Sequence, residues 1–138
     1  MDEDSASTER FTMSIGLHET FIVATAAGEL DYNSAGLLRQ QAKDAWEATD
    51  SAGLVLDLSG VTFCDSRGVG VLVLLLKQSR EQHRNLVLSS LPALLERILT
   101  ITGLRTAFRV EASVEEAIQT VQAAPPPEAT KDPDSPGQ

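Results

Sequence analysis

From Phe11 onward the chain alternates. Thr12-Met13-Ser14-Ile15-Gly16-Leu17 puts every second side chain on an apolar face, the period-two pattern of a strand with one wet side. His18-Glu19-Thr20 then turns the chain. Phe21 to Ala27 is apolar apart from Thr25 and stops at Gly28, which predicts a second, more buried strand paired to the first as a hairpin. The period then lengthens. Leu38, Ala42 and Ala45 recur on one side of a helix with Arg39, Lys43 and Glu47 on the other, with Asn33 or Ser34 as its cap and an end near Ser51-Ala52-Gly53. Leu54-Val55-Leu56 follows as a short apolar burst ending at Asp57, the signature of a strand buried on both faces.

Val69 to Leu76 is apolar on every side, so periodicity alone does not separate a buried strand from a buried helix. Two features favour the helix. Its continuation, Lys77 to Gln82, is rich in helix formers, and a strand here leaves no crossover between Leu54-Val55-Leu56 and the next burst, Leu86-Val87-Leu88. Pro92 opens another helix as its first residue, with Leu91, Leu94, Leu95, Ile98 and Leu99 on one side and Gly103 past its end. Ala107 to Val110 reads as a last strand. Ser113-Val114-Glu115-Glu116 is a capping box before a helix that buries Ala117, Ile118 and Val121. Strands and helices alternating in this way predict a single α/β domain, a mainly parallel central sheet with an N-terminal β-hairpin and about four helices.

Composition separates the ends from the middle. Residues 1–10 hold four acids and one base, and residues 123–138 hold three acids, one Lys and five of the six prolines. Neither segment has apolar periodicity, so both are expected to be disordered tails around a folded unit of residues 11–122. Of the formal charge of −9, only −4 belongs to that unit. The chain has no basic run, which argues against a nucleic-acid partner. Its one cysteine, Cys64, has no second thiol to pair with and no ligand cluster around it, so neither a disulfide nor a metal site is expected. Met1-Asp2-Glu3-Asp4 is acidic where a secretion signal is basic. Gly68 to Leu76, the longest uncharged apolar run, spans only about 14 Å as a helix. A soluble, cytoplasmic protein without membrane contact is expected.

Asp65-Ser66-Arg67-Gly68-Val69-Gly70 falls where a strand and its loop lead into the buried helix, the edge at which parallel α/β sheets place functional groups. Asp and Ser before a helix serve as caps, and two glycines allow close packing. The same geometry gives an exposed hydroxyl at a positive helix end, a favourable place for an added phosphate. Other chemistries fail on details. A dinucleotide fingerprint requires glycine where Val73 stands, a G-x-S-x-G elbow requires it where Cys64 stands, and neither His18 nor His83 is placed to activate Ser66. Asp57 ends a buried strand like a receiver-domain phosphoacceptor, but the accompanying acid pair and lysine are missing, so a bond to the loop backbone is expected of it.

The segment Val61 to Leu72 resembles the signature of STAS domains, in particular bacterial anti-sigma factor antagonists, in which a hydrophobic residue precedes Asp-Ser-(Ser or Thr)-Gly-Leu-Gly. Gly28-Glu29-Leu30-Asp31 is similar to the family's G-(E/D)-(L/I)-D, Leu54 to Leu58 to its central strand, and Gly103-Leu104 to the end of its third helix. The resemblance covers about residues 11–121. It implies a STAS-type fold, no catalytic residue and no cofactor, and Ser66 as a phosphoacceptor. It further implies that the unphosphorylated form binds an anti-sigma factor serine kinase and releases a sigma factor, that phosphorylation at Ser66 switches binding off, and that a PP2C-like phosphatase resets it. Asp31, Asp65, Ser66, Arg67, Gly68 and Gly70 are the implied partner-binding residues. Arg67 departs from the family, which has a small hydroxylated residue there. Two other readings stay open: a constitutive STAS adaptor for a protein or small ligand, and a small α/β serine hydrolase using Ser66.

Overall fold

A computed structural model describes residues 2–8 and 10–123. In chain order it contains β1 (Asp2–Thr8), β2 (Phe11–Leu17), β3 (Ile22–Leu30), α1 (Ala35–Ala48), β4 (Gly53–Cys64), α2 (Ser66–Glu81), β5 (Asn85–Ser89), α3 (Ala93–Ile101), a 3-10 turn (Arg105–Ala107), β6 (Arg109–Glu111) and α4 (Val114–Ala123). The strands form one six-stranded sheet in sequence order. β1, β2 and β3 pair antiparallel, and β3 to β6 are all parallel.

The alternation of β2 buries Phe11, Met13 and Ile15 on one face. That face, continued by Ile22, Ala24, Ala26, Leu54, Leu56 and Leu58, packs against α1, α2 and α3 through Leu38, Trp46, Leu72, Leu75, Leu95 and Leu99. Val55 and Val87 point the other way, onto Ala117 and Val121 of α4. Burial on both faces explains why the central strands are continuous apolar runs. The apolar run of α2 is not buried all round: Val71, Leu72, Leu75 and Leu76 are buried, whereas Val73 and Leu74 are only half-buried.

The structure departs from the sequence expectations in four places. Asp2–Thr8, expected to be part of a disordered tail, forms an edge strand in register with β2 from Asp2 opposite Leu17 to Thr8 opposite Phe11. Backbone pairing needs no apolar side chain, so hydropathy carries no trace of it. The Pro-rich tail lies, from residue 124 on, outside the described residues. β4 runs to Cys64 instead of ending at Asp57, because its pairing with β5 stops at Asp57 while its pairing with β3 continues. Two register shifts, one between Thr25 and Ala27 and one between Gly28 and Glu29, give β4 an extra residue each time. Asp57 bonds backbone as expected, its Oδ1 accepting from the Ser59 N–H at 3.0 Å, but in mid-strand. Pro92 is the N-cap of α3 and not its first helical residue, and the last strand is Arg109–Glu111, with Ala107 in the 3-10 turn.

Through these shifts β3 and β4 finish level, with Leu30 opposite Cys64. Gly28 makes the β3 side possible. Its φ of +99° is one that L side chains resist, and a Cβ there would collide with the Arg10 carbonyl, which accepts from the Glu29 N–H at 2.9 Å.

Candidate functional site

Because β3 and β4 are parallel, the loop after β3 and the start of α2 emerge side by side at the carboxyl edge of the sheet. Asp65 joins them. As N-cap of α2 its Oδ1 accepts from the Gly68 N–H at 2.9 Å, and its Oδ2 accepts from the Tyr32 N–H at 3.0 Å. Its own N–H donates to the Leu30 carbonyl at 3.2 Å. The bond from Gly68, helped by those from Tyr32 and Arg67 and by the Arg67 charge, holds the Asp65 carboxyl below its ordinary value despite some desolvation. The carboxylate is thus committed to holding two loops together.

Asp31 works within its own loop, accepting from the Asn33 N–H at 2.9 Å. Ser34 completes that loop. It occupies the N-cap position of α1 but gives no side-chain cap bond; its buried Oγ accepts from the Asp31 N–H at 2.9 Å and donates to the Glu29 carbonyl at 2.7 Å. A cap role was the expectation for Asn33 or Ser34, and a serine before a helix carries the same signal for either use.

Ser66 is the first residue of α2 and is exposed. Among the described residues no hydrogen bond engages its hydroxyl. Arg67 is also exposed, and its guanidinium lies 5.0 Å above the ring of Tyr32, itself 67% exposed. Tyr32 was not singled out in the sequence, since only the parallel pairing brings it beside Arg67. Gly68 is buried, with Leu30 and Cys64 where a side chain would go. Gly70 is exposed and faces open space.

Cys64 lies beneath the site. Burial, then the Asp65 charge, push its thiol up to about 11, so it stays protonated at neutral pH. The two histidines lie elsewhere. His18 stacks on Phe21 at the far end of β3, and His83 follows α2, about 24 Å along the helix from Ser66. Neither can serve as its base. Among the described residues no three His, Cys, Asp or Glu side chains converge to hold a metal ion, and no helix is long and apolar enough to cross a membrane.

The STAS domain family matches residues 13–117, a span that contains β3, β4, α2 and every residue of this site. The chain belongs to the STAS domain family. It is similar to the anti-sigma-B factor antagonist of Bacillus subtilis (strain 168), with 34% identity over 102 residues, 74% of this chain and 92% of that protein. Among solved structures, an anti-sigma factor antagonist from Mycobacterium paratuberculosis has a TM-score of 0.68 at 26% identity, covering 85% of this chain and 98% of that one. The anti-sigma factor antagonist SpoIIAA in its unphosphorylated form has a TM-score of 0.69 at 19% identity, covering 81% and 97%. This STAS domain therefore shares the architecture expected of it, a mostly parallel sheet entered by an antiparallel hairpin and flanked by four helices.

Proposed function

We propose that this STAS protein is an anti-sigma factor antagonist switched at Ser66. The unmodified form binds an anti-sigma factor that is also a serine kinase, and a sigma factor is released; phosphorylation of Ser66 ends the binding, and a PP2C-like phosphatase restores it. The observation that carries the reading is the placement of Ser66. It is an unengaged, exposed hydroxyl on the first turn of a helix whose preceding residue, Asp65, is bonded to two backbone amides and so holds the turn rigid. Similarity to the Bacillus subtilis antagonist supports the role.

A phosphate at Ser66 adds about −1.5 to −2 charges beside Asp65, while the free amides and dipole of the α2 N-terminus favour negative charge. These effects oppose each other within the fold, so the domain keeps its structure. A partner surface matched to a neutral hydroxyl meets a bulky, hydrated group instead, and affinity falls by orders of magnitude. Calorimetric titration of the cognate kinase with wild type, Ser66→Ala and Ser66→Glu tests this, together with mass spectrometry of the kinase-treated protein. Ser66→Ala is expected to bind and resist phosphorylation, and Ser66→Glu to bind weakly. Phosphate on a different residue, or equal affinity of the modified and unmodified forms, refutes the switch and favours a constitutive adaptor.

A further inference from the structure

Gly68 and Gly70 sit two residues apart in α2, yet the fold accounts for only one of them. A side chain at Gly68 would strike the Leu30 carbonyl and the Cys64 Sγ, so the helix reaches β3 only because Gly68 has none. At Gly70 an added Cβ meets nothing within 4 Å. An exposed glycine inside a helix is less favourable than alanine, and no contact among the described residues offsets that. Its position supplies the missing reason. Gly70 is four residues after Ser66, so both lie on the same face of α2. Beside that face Arg67 is held over the exposed Tyr32 ring, and among the described residues it forms no ion pair. On a chain of formal charge −9, a cation placed there favours an acidic group on whatever docks.

Building on the antagonist reading above, we infer that a segment of the anti-sigma factor lies directly against the α2 backbone at Gly70 and offers a carboxylate to Arg67. Gly70 is thus kept for the partner's approach, and Arg67 with Tyr32 selects which partner fits. A phosphate on Ser66, one turn away on the same face, occupies the space that segment needs and repels its carboxylate.

The test titrates the full-length wild type, Gly70→Ala and Arg67→Ala against each anti-sigma factor of the source organism, expressed and purified singly, alongside thermal melts. Gly70→Ala is expected to melt about 2–4 °C higher and yet bind about tenfold or more weakly, since a methyl group displaces a close-packed segment. Arg67→Ala is expected to bind several-fold more weakly, with an affinity that responds less to added salt. Full affinity in Gly70→Ala, or a lowered melting temperature, overturns the approach surface while leaving the antagonist reading intact. An unchanged salt response in Arg67→Ala overturns the carboxylate contact. If the wild type binds none of these factors, the antagonist reading itself fails, and this inference with it.

Discussion

At its N-terminal end α2 is tied down by the Asp65 cap and by the bare backbone of Gly68, which lies against Leu30 and Cys64, whereas just past its C-terminal end the tie is a long side chain, that of Arg84. The Asp65 N–H bonds the Leu30 carbonyl, and Gly68 lets the helix lie against β3. At the other end the buried Ser79 hydroxyl donates to the Leu76 carbonyl at 2.7 Å, and the Arg84 guanidinium reaches across to the Trp46 carbonyl of α1, also at 2.7 Å. The chain reverses through His83, with φ +57°. The difference has a functional consequence. An end anchored by the residue before it and by a glycine leaves Ser66, Arg67 and Gly70 facing outward on a rigid support, while the other end is tied through a side chain that crosses to α1.

The largest effect expected at the N-terminal end is that of Gly68→Ala. The new methyl group would collide with the Leu30 carbonyl as well as with the Cys64 Sγ, and a strand carbonyl cannot swing aside, so α2 must shift off β3. A loss of about 2–3 kcal/mol is expected, read from chemical denaturation. A loss smaller than about 0.5 kcal/mol would mean that the helix has slack at this end, and the contrast with Gly70 would disappear.

Asp65→Ala comes next, at about 1 kcal/mol for the lost cap, with the Tyr32 amide losing its acceptor as well. Its pH dependence has a definite sign. The carboxyl is held below its ordinary value of 3.8, so its charged form belongs to the folded state; the stability this provides is complete above pH 3.8 and is lost as pH falls toward the lowered folded value. The stability gap between wild type and Asp65→Asn, measured by denaturation from neutral pH downward, is therefore expected to narrow below pH 3.8. A gap that stays constant there would mean that Asp65 holds the loops equally well when protonated.

The parts of this fold legible in the sequence are those whose stability comes from burial. The alternation of β2 and the two-sided burst of β4 are direct records of which faces meet the core, whereas the apolar run of α2 records burial without telling the buried Leu72 and Leu75 from the half-buried Val73 and Leu74. Elements built on backbone pairing leave no such record. β1 has no apolar alternation, and Ser59-Gly60, which in isolation resembles a turn, is carried inside β4 by pairing with β3 and by the Asp57 bond to Ser59. At the site, Asp65, Ser66 and the two glycines stand out because they are contiguous. Tyr32 does not, since it joins Arg67 only through the pairing of two strands separated by a whole helix. The sequence also treats Gly68 and Gly70 alike, and only their surroundings tell them apart.

The smallest expected effect lies at the C-terminal end, where His83→Gly should stabilise the protein. His83 is exposed and holds a left-handed conformation, which strains an L-residue by roughly 1–2 kcal/mol. Glycine removes that strain but loses more freedom on folding, by roughly 0.5–1 kcal/mol. The net expectation is a gain of about 0.5–1 kcal/mol, or about 2–4 °C in melting temperature. Among the described residues the His83 ring makes no hydrogen bond that would be forfeited; its backbone N–H, which donates to the Arg80 carbonyl at 3.2 Å, is retained by glycine. The variant is thereby a matched control for Gly70→Ala. Both changes should raise the melting temperature by similar amounts, one by adding a methyl group and the other by removing a side chain. Only the change at the N-terminal end should weaken partner binding. Equal loss of affinity in both would show that the partner covers the whole length of α2, and that the difference between its two ends concerns folding alone.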